Sequence, residues 1–168
     1  FWFSSAMDWM KQCKAKDEPF LCYLPTNAPH APHIDHEDFI KPYRKPGQPA
    51  AFFGMIAHLD KRFGDLEKFL DEQKLKDDTI VVFTSDHGYH LGDHGLWQKQ
   101  SLFERSARVP LIIAGPAGTA RGQVARGIVE LVDLYPTLAA LAGLTPAAPL
   151  DGVSLSPMLT NPSASVKD

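Results

Sequence analysis

The sequence predicts an α/β protein, with a mainly parallel central sheet flanked by helices. Two short apolar runs, residues 80–83 and 109–114, are rich in β-branched side chains and have the length of strands buried in a parallel sheet. Between residues 50 and 73, apolar side chains instead recur every three or four positions, which is typical of a helix that packs one face on a sheet. Strands and helices that alternate in this way indicate the α/β class.

The start of the chain predicts a helix followed by a strand. Residues 1–15 carry an approximate apolar stripe at helical spacing, with Ser4 or Ser5 as the expected cap of the first turn. A polar segment ending in a proline breaks this helix, and the apolar run 20–24 then predicts a buried strand with Cys22 as a small core residue.

A proline-rich loop follows over residues 25–49. It contains six prolines and neither a helical nor an alternating pattern. A loop of this length is unusual in a compact domain unless it has a function. Its histidines, His30, His33 and His36, are by themselves compatible with metal binding or with plain exposure to solvent.

The richest cluster of reactive side chains comes after the strand 80–83. Asp86 and His87 offer a carboxylate oxygen and an imidazole nitrogen to a divalent cation, and Gly88 would let the backbone turn tightly behind them. Two adjacent ligands cannot complete a metal site, so others must come from elsewhere in the fold. Lys99 would hold an anion as a point charge, or lie solvated on the surface. Further residues of the cluster are His90, Gly92, Asp93, His94 and Gly95.

Open α/β sheets bind ligands beyond the carboxyl ends of their strands, which is where this cluster falls. The alternative is a polar surface loop that uses Asp and Gly as turn formers. Such a loop needs neither three histidines nor three glycines, so a metal and anion site is the favoured interpretation.

The remaining segments predict peripheral structure. Residues 115–122 predict a turn-rich loop, 124–129 a short strand and 161–168 a frayed polar tail. A helix is predicted over 130–143, with Asp133 as its cap, a proline in its first turn and a glycine as its stop.

Composition excludes several classes of protein. The 168 residues are 44% hydrophobic and 22% charged with a formal net charge of -3, so no basic excess suggests nucleic-acid binding. No apolar run approaches the roughly 20 residues of a membrane span. Two cysteines are too few for a disulfide framework.

Three motifs resemble the second half of the catalytic domain of type I sulfatases, a family that includes arylsulfatases. They are Ser-Asp-His-Gly at 85–88, Leu-Gly-Asp-His-Gly-Leu-Trp-Gln-Lys at 91–99 and Arg-Val-Pro-Leu-Ile-Ile at 108–113. Val-Asp-Leu-Tyr-Pro-Thr-Leu at 132–138 and Asp-Gly-Val-Ser-Leu at 151–155 agree in the same order. The match is most similar to the iduronate-2-sulfatase-like branch and implies the alkaline-phosphatase-like fold, incomplete in this chain.

The resemblance implies a sulfuric ester hydrolase in which a hydrated formylglycine attacks the sulfate. Asp86 and His87 would be metal ligands, with calcium as the usual family metal and manganese or another transition metal left open by the histidine. Neither Cys13 nor Cys22 lies in the Cys-x-Pro-x-Arg motif that yields formylglycine. We therefore expect residues 1–168 to be the C-terminal portion of a catalytic domain, inactive alone, that lacks the nucleophile-bearing part and the C-terminal subdomain.

The same resemblance assigns the substrate contacts. His30, in Asn-Ala-Pro-His, and Lys99 would hold the sulfate or protonate the leaving alkoxide. Trp97 and His94 are further expected substrate contacts, although Trp97 could equally pack the wall of the site instead of stacking on a sugar or aryl ring. The expected partners are a sulfated small molecule or glycan and the rest of the catalytic domain, in a periplasmic, secreted or lysosomal enzyme. Two alternatives stay open: a phosphonate monoester or phosphodiester hydrolase, and a non-catalytic relic that binds sulfated glycans.

Overall fold

A computed structural model describes residues 1–115 and 119–167, arranged in two compact units, Phe1–Lys76 and Asp77–Asp168. Part of the predicted loop 115–122 and the last residue of the predicted tail therefore lie outside the described residues. Over the described residues, no helix is both long enough and apolar enough to cross a membrane.

The first unit is built on two long helices. Helix α1 spans Trp2–Ala15 and buries Phe3, Ala6, Met10 and Cys13, which recur at three- and four-residue spacing and face α3, Ala50–Glu72. Both helices confirm the periodicity in the sequence. The expected serine cap of α1 is wrong, because no side chain caps this helix and the Phe1 carbonyl accepts from the Ser5 amide instead.

The proline-rich loop contains two short helical turns that the sequence did not predict. Helix α2 spans Glu37–Ile40 and continues into a 3-10 turn at Lys41–Tyr43. Helix α2 packs on α3 at Gly54, where a β-carbon would lie 3.0 Å from the Phe39 carbonyl oxygen. A single turn is too short to show helical periodicity, so only local capping at His36 marks it.

Residues 20–24 form no strand, which corrects the sequence prediction. Their exposure alternates from residue to residue, so the segment is extended, with Leu21 and Tyr23 each 85% exposed. It has no ladder partner among the described residues, and a strand is defined by its partner rather than by its composition. Cys22 is half-buried, and that burial raises the pKa of its thiol.

The second unit contains two small antiparallel sheets. Strand β1, Val81–Thr84, pairs with β4, Leu111–Ala114, and strand β2, His90–Leu91, pairs with β3, Trp97–Gln98. The predicted α/β class agrees with this mixture of strands and helices. Among the described residues, however, β1 pairs only with the antiparallel strand β4 and has no parallel neighbour. An apolar run reports burial and leaves the direction of the neighbouring strand undetermined. The single-turn helix α4, Glu104–Ala107, lies between the two sheets along the chain.

The end of the chain is anchored by a buried carboxylate. A 3-10 turn, Leu131–Asp133, leads into α5, Leu134–Leu141, and α6 follows at Ser156–Thr160. Asp133 is fully buried and accepts hydrogen bonds from the Glu130 amide at 2.8 Å, the Val153 amide at 2.9 Å and Lys167 Nζ at 2.8 Å.

Two terminal predictions are therefore corrected. Asp133 bonds backward to the turn before α5 rather than capping α5 itself, and Lys167 fixes a tail that was expected to fray. Residues 124–129 form no strand, because they have no ladder partner in the described part of the chain. Gly143, at φ +68°, ends α5 as predicted, since the left-handed conformation suits glycine.

Candidate functional site

The predicted cluster contains a close contact between His87 and Lys99. Lys99 Nζ lies 2.7 Å from His87 Nε2, and His87 Nδ1 lies 2.7 Å from the Gly88 carbonyl oxygen. A carbonyl oxygen only accepts hydrogen bonds, so Nδ1 carries the ring proton. Nε2 therefore presents its lone pair to the lysine ammonium.

Asp86 completes a group of three at the end of β1. Its Oδ1 lies 3.6 Å from His87 Nε2, while its side chain is 85% exposed. The Ser85 hydroxyl donates to the His87 carbonyl oxygen at 2.8 Å and holds the loop beneath the pair. A carboxylate and an ammonium thus flank the same imidazole nitrogen.

Gly88 permits a close approach of α4. A β-carbon at this position would overlap the Arg105 carbonyl oxygen and lie 2.6 Å from that of Arg108. The Gly88 amide donates to the Ser106 carbonyl oxygen at 2.7 Å. The sequence predicted a tight turn here, but the need for glycine comes from contact with α4, since Gly88 does not have a positive φ.

The residues present fit part of a metal site. Asp86 and His87 offer one hard oxygen and one imidazole nitrogen, both ordinary ligands of divalent cations. No group of three or more such ligands converges within residues 1–115 and 119–167. Asp86 and His87 therefore fit as two ligands of a larger coordination shell. Lys99 Nζ would have to move away from His87 Nε2 before that nitrogen could bind a metal ion.

Two of the predicted substrate contacts, Trp97 and His94, are exposed and lie within five positions of Lys99 in the sequence. Trp97 is 57% exposed and packs over Gly92, whose β-position would be 3.9 Å from the indole. His94, with φ +57°, stacks on Phe103 at a centroid separation of 4.4 Å. Both aromatic surfaces are therefore partly occupied by intramolecular packing and partly open.

The carboxylate of Asp93 is paired rather than free. Its Oδ1 accepts from Arg105 Nε at 3.2 Å. Partial burial raises the pKa of Asp93, but the Arg105 guanidinium and backbone amides outweigh that effect and hold the pKa below its ordinary value. Asp93 therefore ties the loop to α4.

His30 lies in the first unit, whereas Asp86, His87 and Lys99 lie in the second. His30 is exposed, its amide donates to the Asn27 carbonyl oxygen at 2.8 Å and its Nδ1 lies 2.7 Å from the Ala31 carbonyl oxygen. The structure thus brings Asp86, His87 and Lys99 together, whereas the role of His30 stays a prediction.

Two polar clusters were missed by sequence reasoning. In the first unit, His58 Nδ1 lies 2.7 Å from Asp35 Oδ1, and its Nε2 accepts from Arg62 Nε at 3.2 Å. In the second, buried His90 reaches Ser101 Oγ at 2.8 Å. His58 and Asp35 are 23 positions apart and His90 and Ser101 eleven, so no local pattern could have revealed these two contacts; Arg62 lies four positions after His58 on α3.

The family model named Sulfatase matches residues 2–144, which include the whole Asp86–Lys99 cluster. The chain belongs to the sulfatase family. Enzymes of this family generally use a metal ion and a formylglycine.

Curated relatives agree with the assignment. The chain is similar to the choline-sulfatase of Rhizobium meliloti, at 48% identity over 112 residues covering 65% of this chain and 22% of the relative. It is also similar to the iduronate 2-sulfatase of Mus musculus, at 36% identity over 132 residues covering 64% of this chain and 23% of the relative. The chain thus spans less than a quarter of the length of these relatives.

Solved structures support the sulfatase fold. A neighbour named i-CgsB, solved with a neocarrahexaose, has a TM-score of 0.83 and 29% identity over 95% of this chain and 38% of its own. A protein solved with its substrate D-glucosamine-2-N,6-O-disulfate has a TM-score of 0.66 and 33% identity over 71% of this chain and 24% of its own. The phosphonate monoester hydrolase of Silicibacter pomeroyi has a TM-score of 0.64 and 34% identity over 71% of this chain and 23% of its own.

Proposed function

We propose that this chain is part of a sulfuric ester hydrolase and supplies two metal ligands and one sulfate-binding cation to its active site. The observation that carries the proposal is the convergence of Asp86 Oδ1 and Lys99 Nζ on His87 Nε2, at 3.6 and 2.7 Å. Membership of the sulfatase family, over residues 2–144, supports the same chemistry. The expected domain boundaries belong to this proposal: residues 1–168 form the C-terminal portion of the catalytic domain.

Asp86 and His87 act as ligands through defined atoms. The proton on His87 Nδ1 is held by the Gly88 carbonyl oxygen, so Nε2 is the atom that donates to a metal ion. Calcium fits the family and the Asp86 oxygen, while the histidine favours manganese or another transition metal. When bound, the metal would neutralise charge on the sulfate oxygens and lower the pKa of the nucleophile.

Lys99 has two tasks. Its ammonium attracts the sulfate anion as a point charge and provides a proton donor for the leaving alkoxide. The 2.7 Å contact with His87 Nε2 keeps the ammonium beside the metal ligands in the absence of substrate. His30, presented by the proline-rich loop, is proposed to share the sulfate or to protonate the leaving group.

The nucleophile is proposed to come from outside these residues. Formylglycine is made from a cysteine in a Cys-x-Pro-x-Arg motif, and the two cysteines of the chain, Cys13 and Cys22, have different surroundings. The chain therefore contributes to a site that another part of the same catalytic domain completes.

The substrate is proposed to be a sulfated sugar or another small sulfate ester. One neighbour was solved with a neocarrahexaose and another with a disulfated glucosamine. Trp97 presents a 57% exposed indole, which suits stacking on a sugar or aryl ring, and His94 is the second proposed contact. The same ring would serve a non-catalytic relic that only binds sulfated glycans, and turnover by the complete protein would exclude that alternative.

A second candidate reaction is phosphonate monoester hydrolysis. The Silicibacter pomeroyi enzyme matches the fold at a TM-score of 0.64 with 34% identity. Sulfate and phosphonate esters are both tetrahedral anions, so Lys99 would bind either. A comparison of kcat/KM for 4-nitrophenyl sulfate and 4-nitrophenyl phenylphosphonate, using the protein encoded by the complete reading frame, separates the two.

The test of the site pairs each variant with a matched control. Asp86→Asn keeps the shape and removes one ligand charge, and we expect it to lower both metal content and sulfate-ester kcat/KM. Asp77→Asn changes an exposed aspartate that pairs with Arg121 at 3.8 Å and should leave both unchanged. Equal metal content in the Asp86→Asn variant and the wild type would refute the assignment of Asp86 as a metal ligand. A higher kcat/KM for the phosphonate than for the sulfate would instead show that the enzyme is a phosphonate monoester hydrolase.

A further inference from the structure

The segments on both sides of Lys99 contact one residue, His90, whose side chain is buried. This histidine is only 1% exposed and is the largest fully buried side chain among the described residues. Its backbone pairs with Gln98, the residue before Lys99, in the β2–β3 ladder. Its Nε2 lies 2.8 Å from Ser101 Oγ, and the Ser101 amide donates to the Lys99 carbonyl oxygen at 2.8 Å.

The backbone just before Lys99 requires such support. Gln98 has φ +78°, in the left-handed region that side-chain-bearing residues rarely adopt. A conformation of this kind persists only where the surroundings impose it. The pairing with His90 and the bond between Ser101 and Lys99 are the surrounding contacts that impose it here.

The same network reaches the other side of the site. Ser101 Oγ lies 2.9 Å from Ser106 Oγ, and the Ser106 carbonyl oxygen accepts from the Gly88 amide at 2.7 Å. Gly88 directly follows His87 and receives its Nδ1 hydrogen bond. A continuous set of hydrogen bonds thus runs from the backbone behind His87 to the backbone on both sides of Lys99.

The hydrogen-bond partners around His90 show which of its ring nitrogens carries the proton. Ser101 Oγ already accepts from the Phe103 amide at 3.3 Å and has a single proton to give. His90 Nδ1 is buried and has no partner among the described residues. An N–H buried without an acceptor is rarer than an unpaired lone pair, so the proton lies on Nε2 and points at Ser101.

We infer that His90 is a positioning residue, which holds Lys99 against His87 by donating to Ser101 and by pairing with Gln98. The kinetic consequence rests on the proposed function, because it requires Lys99 to bind the substrate anion. The structural consequence, a fixed Lys99 ammonium, does not depend on the reaction.

The kinetic test uses the protein encoded by the complete reading frame. His90→Leu removes the donor, Ser101→Ala removes the acceptor, and His90→Gln restores an amide N–H near the Nε2 position. We expect the first two to lower sulfate-ester kcat about 10- to 100-fold, with a smaller change in KM, and His90→Gln to recover most of the loss. Ser101→Ala also removes the contacts of Ser101 Oγ with Ser106 and the Phe103 amide, so the double variant should be no worse than Ser101→Ala alone.

A second measurement follows Lys99 directly and needs no activity. Its rate of acylation by acetic anhydride, determined by peptide mass mapping, is compared with that of Lys68, whose side chain is 77% exposed. We expect Lys99 to react faster relative to Lys68 in His90→Leu and Ser101→Ala than in the wild type. Ser154→Ala, which breaks a comparable contact with Ser156 at 2.9 Å, should not change the ratio.

The outcomes separate the two proposals. Additive losses in the double variant, or no rescue by His90→Gln, would overturn the positioning role even if turnover is confirmed. If the wild type cleaves no ester, the proposed function fails and the labelling ratio alone decides: an unchanged ratio refutes the role of His90. Ser101→Ala keeps the test usable if His90→Leu does not fold.

Discussion

The buried carboxylate of Asp133 provides the sharpest test of how this chain holds its C-terminal segment. Asp133→Asn keeps the volume but leaves one oxygen, whereas the carboxylate accepts from two backbone amides, of Glu130 and Val153, on opposite oxygens. The new NH2 group must face one of these donors. That amide then stays buried without a partner, and the ion pair with Lys167 is lost as well.

The expected magnitude follows from these contacts. A hydrogen bond to a charged group contributes about 1.5–3 kcal/mol, and a buried donor left unsatisfied costs about 1–3 kcal/mol. Because Lys167 retains its bond to Glu130 at 2.5 Å, we expect a local loss of about 2–4 kcal/mol, which is a factor of about 30 to 900 in opening.

Amide hydrogen exchange, followed by mass spectrometry on the complete protein, measures this loss where it occurs. Protection of the peptides that cover Val153 and α5 should fall by that factor in Asp133→Asn. The control is Asp151→Asn, an exposed aspartate in the adjoining segment, which should exchange as the wild type does. Wild-type protection at Val153 in the Asp133→Asn protein would contradict the anchoring role of this carboxylate.

Four further predictions concern stability. Burial alone raises the pKa of Asp133, but the hydrogen bonds from Lys167 and two backbone amides outweigh burial and lower this pKa overall. The Asp133 carboxylate therefore stabilises the fold above the ordinary aspartate pKa, and this stabilisation is lost as pH falls through the lowered pKa. Amide exchange protection at pH 2–5 measures the loss. The bonds to Asp133 and Glu130 raise the pKa of Lys167, so its contribution persists at neutral pH and is lost only as pH rises through the raised value. Gly88→Ala should lower the melting temperature and the metal content together, because its β-carbon would lie 2.6 Å from the Arg108 carbonyl oxygen; unchanged values would refute this close packing. Leu70→Ala, at a side chain 3% exposed, should cost about 2–5 kcal/mol in denaturant unfolding, and a loss below about 1 kcal/mol would show that Leu70 is not core.

The long helices could be predicted because each repeats one signal over many residues. Helix α3 places Phe52, Met55, Leu66 and Leu70 on one buried face, and a 23-residue element averages out local exceptions. Helix α5 was predicted from a proline near its start and a glycine after its end, which act through backbone geometry alone. Helices α2 and α4 have four residues each, too few for any periodicity to appear.

The pairing of the strands and the buried contact between His90 and Ser101 were harder to predict, since both depend on partners distant in sequence. The apolar composition of β1 was visible, but its antiparallel pairing with β4 is not encoded within either segment. Asp86, His87 and Lys99 were found because their residue types are unusual at the end of a strand. The contact between His90 and Ser101 spans eleven positions and involves a serine, which carries no signal of its own.

The extended segment of residues 20–24 has a practical consequence for anyone who expresses this chain alone. It presents Leu21 and Tyr23, each 85% exposed, along a backbone that lacks a ladder partner in the described residues. An apolar, unpaired edge is a template on which a second copy can add a strand. The isolated chain should therefore self-associate as its concentration rises, and a lysine in place of Tyr23 should delay the onset of light scattering.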